Sequence, residues 1–185
     1  NTYIDLGGTA TIGGSSEIYS SGRIIDTTIA SSGSLIVSAG GIAVGTTVNS
    51  GGKLSVAQGG TVENVTVNSG GSMYIDGGGT FTGELTIADG GWVEGDNAIF
   101  DLDISDRSVG DNVLINSILS IVGSSKFFIT VDAGQAYGVY KLASGAGNED
   151  FTFTVRNQLG GTIGSVSTVD TVALTYAYTN YKVSN

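Results

Sequence analysis

At 185 residues the chain has room for one ordinary or one elongated domain, and 40% hydrophobic content is enough for a core. Seventeen acidic against seven basic side chains give a net charge of −10, a field that repels phosphate backbones and argues against nucleic acid as a partner. The lack of cysteine and histidine excludes disulfides, thiolate metal sites, cysteine catalysis, the usual serine triads and HExxH zinc sites. No apolar run approaches the ~20 residues of a membrane-spanning helix. The chain opens on Asn1 rather than Met and shows no signal peptide, which reads as a processed or recombinant form. Zero cysteine leans towards export.

In chain order, a partial phrase comes first: Thr9, Ala10, Gly13-Gly14 and Ile18 occupy the columns of a 19-residue repeat. Residues 21–39, 40–58 and 59–77 then say nearly the same thing three times, 19 residues each, without gaps. Thr28, Thr47 and Thr66 share a column, as do Ile29, Val48 and Val67, then Gly33, Gly52 and Gly71, then Leu35, Leu54 and Met73, then Val37, Val56 and Ile75. Gly78-Gly79-Thr80-Phe81 begins a further copy. One extra residue enters between Thr82 and Leu85 before Thr86-Ile87 and Gly90-Gly91 resume. About five rungs fit before Asp96, and a fixed period near 20 residues predicts a solenoid.

Alternation decides strand against helix. In Val65-Thr66-Val67-Asn68 and Leu54-Ser55-Val56 apolar and polar residues trade places at every step, the strand period. Glycine pairs at this frequency would cost a helix roughly 1 kcal/mol per residue. Each pair reads as a corner. Two or three short strands per turn, stacked on the next turn, predict an all-β, right-handed parallel β-helix, with the hand taken by analogy with parallel crossovers. Ile29, Val48, Val67 and Ile87 should stack inside, while Thr47, Asn49, Thr66 and Asn68 face outward.

From Asn97 the metre is lost but strand chemistry continues in 98–104, 112–115, 118–122, 126–131, 137–142, 151–155 and 172–178. Turn signals separate these runs at Gly110, Gly123, Asp132–Gly134, Gly145–Asp150 and Gly160-Gly161. Glycine falls from 22 in the first hundred residues to 9 in the remainder, and most of the Tyr and Phe lie here. Residues 1–96 are therefore expected to be the regular solenoid, and 97–185 a less regular β continuation or a cap on its open end.

The phrases Val48-Asn49-Ser50-Gly51-Gly52…Val56, Val67-Asn68-Ser69-Gly70-Gly71…Ile75 and Gly40-Gly41-Ile42-Ala43…Thr47 resemble the 19-residue repeats of AIDA-type autotransporter passengers, surface adhesins of Gram-negative bacteria. The closest likeness covers about residues 21–91. It implies a right-handed β-helix, an extracellular or cell-surface location, and a role in adhesion, autoaggregation or biofilm. Some members carry heptose on repeat serines, and Ser50 and Ser69 stand in the corresponding phrase. The family's translocator barrel, embedded in the outer membrane, is not within this chain. Ala136–Leu142 also looks like the region just before that barrel.

Residues that could carry chemistry are few. Asp101 and Asp103 should share a strand face near Asp106, and two carboxylates ~5–9.5 Å apart could cut a glycosidic bond. Arg107 is the one base nearby, however, and the histidine and Arg-x-Lys motifs of pectin-type enzymes are missing, so solvated edge acids fit better. Asp76, Asp89, Glu94 and Asp96 flank glycines as weak calcium ligands would, but the repeat corners carry Ser or Asn where a calcium repeat needs Asp. The threonine column lacks the Thr-x-Thr of ice-binding walls. Trp92 stands where other rungs carry Ser or Lys, and covers core or stacks on a sugar. The expectation is a non-enzymatic module with no catalytic residue, cofactor or metal, which contacts itself or surface glycans or proteins through Thr47, Asn49, Thr66, Asn68 and Trp92. A carbohydrate-active β-helix, hydrolase-like or lyase-like, is the alternative.

Overall fold

A computed structural model describes residues 10–136, 138–146, 149–167, 173–176 and 179–182. Two compact units comprise Asn1–Phe100 with Ser120–Ser125, and Asp101–Leu119 with Lys126–Asn185.

In the first unit the alternating runs become short strands: β1 (Ala10–Ile12), β2 (Ser15–Ile18), β3 (Arg23–Ile25), β4 (Thr27–Ile29), β5 (Ser34–Val37), β6 (Ile42–Val48), β7 (Lys53–Val56), β8 (Thr61–Val67), β9 (Ser72–Ile75), β10 (Thr80–Ile87) and β11 (Trp92–Asp103). Strands pair with their equivalents one repeat away, always parallel: β4, β6, β8 and β10 along one wall, and β2, β5, β7, β9 and β11 along another. This is a parallel β-solenoid of about five rungs. Register is 19 residues between β6 and β8, pairing Thr47 with Thr66 and Val48 with Val67. The extra residue near Gly83 appears where expected, as an irregularity between Thr82 and Leu85.

Each regular rung sends five side chains inward. Ala43, Thr46, Val48, Leu54 and Val56 lie over Val62, Val65, Val67, Met73 and Ile75, all of them buried. Thr47 and Thr66 face out, half-buried between neighbouring strands. At the end of one column the rings of Phe81 and Phe100 pack at 5.5 Å between centroids.

Corners explain the glycine pairs, and each glycine of a pair has its own task. Gly51 sits at φ 76°, as do Gly40 and Gly59, in the left-handed region that L side chains rarely adopt. Its amide donates to Gly70 O at 2.8 Å in the following rung, whereas the Asn49 amide donates to Ile29 O at 2.9 Å in the preceding one. Gly71 is needed for space: a Cβ there would stand 2.6 Å from Val48 O. A third corner, with no glycine pair, bends the longer strands at Asp26, Gly45, Asn64 and Gly83, all with φ between 51° and 77°.

The first rung departs from the 19-residue count. Ile12 pairs with Ile29, and Thr11 with Thr28, so β1 is displaced by two residues from the column that placed Ala10 there. A two-residue shift keeps every side chain on its face and brings the larger Ile12 into the core. Thr9 lies outside the described residues.

The later residues of β12 (Ile121–Val131), which belong to the second unit, pair in parallel with β13 (Thr152–Asn157), from Phe127 opposite Phe153 to Val131 opposite Asn157. The Gly160-Gly161 turn then returns the chain as β14 (Thr162–Ser167), antiparallel to β13. β15 (Ala173–Tyr176) and β16 (Thr179–Lys182) form a separate antiparallel pair; residues 172, 177 and 178 of the expected strand lie outside the described residues. Three strand expectations need correction. Residues 112–115 and 138–142 are not strands; they meet through the isolated bridge of Ile115 with Ala143 and through Leu114 and Ile115 amides donating to Leu142 O at 3.0 Å. Tyr137 lies outside the described residues. Ile118–Ser120 is a 3-10 turn, and only Ile121 and Val122 of that run enter a strand. Ser144 Oγ donating to Asn116 O and the Ser144 amide donating to Ile115 O tie the two loops to each other, so these groups find partners without a ladder. Gly123, expected at a turn, instead lies within β12 at φ 90°.

The core can be tested at two positions. Val67→Asp should break rung stacking and lower stability by more than the roughly 1.5–3 kcal/mol that burial of such a side chain supplies, while Thr66→Ser should change the urea midpoint little. Thr27 and Thr46 bury hydroxyls that have no hydrogen-bond partner. Thr46→Val, which copies Val65 in the same column, should therefore raise stability by about 1 kcal/mol in the same urea titration.

Candidate functional site

The outward residues of β4, β6, β8 and β10 build the first surface. Parity alone sends Thr28, Thr47, Thr66 and Thr86 outward, and the parallel register places each beside the next. At the corner that ends this wall, Asn68 Nδ2 donates to Asn49 Oδ1 at 2.9 Å, so the two amides form a short ladder along the stack. Ser31, Ser50 and Ser69 are exposed one residue further on. Their hydroxyls lie against the glycine of the following rung; a Cβ on Gly70 would stand 2.6 Å from Ser50 Oγ, and one on Gly90 2.9 Å from Ser69 Oγ. The glycine pair thus clears room for the serine rank.

The wall of β5, β7, β9 and β11 is different. Ser34, Lys53, Ser72 and Trp92 occupy one outward column, and Ile36, Ser55, Tyr74 and Glu94 the next. Trp92 is 48% exposed, so it does not cover core; beneath it Val93 and Met73 already fill the interior. Its Nε1 donates to Glu94 Oε2 at 3.4 Å, and Lys53 Nζ lies 4.6 Å from the centre of the Tyr74 ring.

In the second unit a polar cleft of about 490 Å³ is lined by Asp101, Asp103, Thr130, Arg156 and residues 157–160. Asp101 and Asp103 share this face, as the alternation predicts, but their states differ. Asp101 is buried; its Oδ2 meets Arg156 Nη2 at 2.6 Å, and its Oδ1 accepts from Thr130 Oγ1 at 2.7 Å. Arg156 Nε donates to Thr130 Oγ1 at 3.1 Å, and its guanidinium stacks 4.4 Å from the Phe128 ring. Asp103 is exposed and accepts the Ser105 amide at 2.9 Å, closing a turn. A carboxylate so tightly held is poorly suited to shuttle a proton or attack a sugar. Arg156, which sequence reasoning passed over, sits 55 positions away; the parallel pairing of β12 with β13 sets it opposite Thr130, the residue that also bonds Asp101. Arg107, by contrast, donates to Asn112 O within its own loop.

The acids considered as calcium ligands lie apart. Asp76 and Asp89 stand exposed at separate corners, and Asp96 accepts from Asn97 Nδ2 at 3.0 Å. Among the described residues no three His, Cys, Asp or Glu side chains gather as metal ligands, and no helix is long and apolar enough to cross a membrane.

Residues 19–71 match the family model AIDA, described as the adhesin of the bacterial autotransporter system, probable stalk. The repeat segment is thus similar to the stalk of AIDA-type autotransporter adhesins. A crystal structure of a TibC-catalysed hyper-glycosylated fragment of TibA, residues 55–350, is similar at 23% identity and a TM-score of 0.40, over 85% of this chain and 68% of that one. Comparison with curated proteins gives no match.

Replacing Asp101 by Asn should cost stability, by about 2 kcal/mol, because Arg156 loses its charged partner in a mostly buried setting. The Asp101→Asn/Asp103→Asn double variant should still retain any aggregation or adhesion phenotype at temperatures where it is folded. A chemical melt paired with a settling assay checks both halves.

Proposed function

We propose that the chain is a non-enzymatic stalk and self-association module of a bacterial surface adhesin, extracellular or on the cell surface, acting in adhesion, autoaggregation or biofilm. Residues 1–96 supply the repeated contact surface, and 97–185 continue or cap it. The in-register threonine rank with its Asn49–Asn68 ladder carries this reading. A rung that makes one weak polar contact offers it again on the neighbouring rung, so avidity accumulates without a deep pocket. Partners are further copies of the chain, or glycans and proteins of bacterial and host surfaces. The exposed Ser50 and Ser69 are the proposed glycosylation positions, where a neutral sugar would extend the same polar wall. Engagement of Asp101 with Arg156 and Thr130 speaks against the hydrolase-like or lyase-like alternative.

Charge sets the test. Two chains at −10 each repel at long range, and salt screens that repulsion within about 8–10 Å at physiological strength. Association through neutral hydroxyls and amides should therefore hold or strengthen from low to high salt in the analytical ultracentrifuge. A steep weakening with salt would identify an ionic interface and overturn the mechanism.

A further inference from the structure

We propose that the wall of β5, β7, β9 and β11 carries a stacking site for the face of a neutral sugar ring, built on Trp92 and framed by Tyr74, Lys53 and Glu94. It rests on the adhesin reading only in so far as that reading brings the module against a glycan, and it uses a different wall from the threonine rank.

The indole cannot turn inward, because Val93 and Met73 occupy the core at this level with no exposure. Nor is it cramped from below, since the residue in register with it is the small Ser72. Tyr74 is in register with Glu94, two positions further along the same face. From strand spacing and rise, the Cα atoms of Trp92 and Tyr74 are about 8 Å apart, close enough for one ring to flank what lies on the other. Both rings are held before any ligand arrives: the Trp92 N–H by Glu94, and the Tyr74 ring by the Lys53 ammonium 4.6 Å from its centre. An aromatic surface already ordered loses less entropy on binding.

The frame selects the ligand. A pyranose with equatorial hydroxyls presents a face of C–H groups, which suits the negative face of an indole, while its hydroxyls project sideways. Lys53 offers donors and Glu94 an acceptor to those hydroxyls. One cation and one anion leave the frame without net charge, and the chain's −10 disfavours acidic sugars. β-Linked neutral hexoses are the class that fits.

Trp92 is the chain's only tryptophan, so tryptophan emission, excited where tyrosine does not absorb, reports on this site alone. Cellotetraose and lacto-N-tetraose should each produce a saturable change in that emission, with Kd about 1 mM, the range of a shallow single-ring contact. A heparin-derived tetrasaccharide should produce none. By calorimetry Trp92→Ala should weaken binding at least about tenfold, and Trp92→Phe should restore most of it, with unchanged thermal melts. No emission change up to about ten times that Kd, equal binding by Trp92→Ala, or a response to the heparin fragment alone would each overturn the site. So would a Trp92→Ala variant that loses self-association while wild type ignores both neutral sugars, since the wall would then serve a second copy. Ultracentrifugation of the same variant separates the two proposals: lost sugar binding with intact association leaves the stalk reading standing.

Discussion

Everything in the solenoid depends on the close approach of one rung's carbonyls to the next rung's corners. Strands a hydrogen bond apart have little room to turn, and at each corner the carbonyl that ends one strand points into the next rung. Val48 O and Val67 O occupy the space where Gly71 and Gly91 would otherwise carry a Cβ. Gly70 and Gly90, just before these glycines, adopt positive φ, and the Gly70 amide turns forward to donate to Gly90 O at 2.9 Å. Only after both demands are met can the aliphatic columns sit directly over one another.

That constraint also shapes the surface. Corners locked in register force outward residues into ranks, so a threonine or an asparagine in one rung is automatically beside its equivalent. A repeated weak contact is thus a by-product of how the backbone closes. The second unit holds its strands by other means: a charged network of Asp101, Thr130 and Arg156, and the aromatic cluster in which Phe127 meets Phe151 and Phe153 at 5.8 and 5.6 Å.

The repeat was legible because two periods coincide in it, the two-residue alternation that assigns faces and the 19-residue spacing that assigns neighbours. Ile29, Val48, Val67 and Ile87 could be placed inside from the text alone. The two-residue slip of β1 could not, since a shift that preserves parity leaves the hydrophobic pattern unchanged. Residues 112–115 and 138–142 have strand composition but meet each other only through an isolated bridge and a few bonds across 27–29 positions, which no propensity reveals. Of the surface, the Thr and Asn ranks and the isolation of Trp92 were readable, whereas the frame around it depends on which residue stands beside which across strands. Arg156 was invisible for the same reason: its partner lies 55 residues away.

The third corner sets a rule for how such a rod can lengthen or shorten. Asp26 Oδ1 leans over the next rung and would stand 2.6 Å from a Cβ on Gly45; Asn64 leans likewise over Gly83, where its Oδ1 also accepts the Glu84 amide at 2.8 Å. Each carboxylate or amide at this corner leans over a glycine, so side chain and vacancy alternate from rung to rung. Excision of residues 40–58 alone would bring Asn64 over Asp26, side chain against side chain. Excision of residues 40–77 would bring Gly83 there and keep the alternation. At this corner the smallest unit that recombination can add or remove with the alternation intact is therefore a pair of rungs, twice the period written in the sequence.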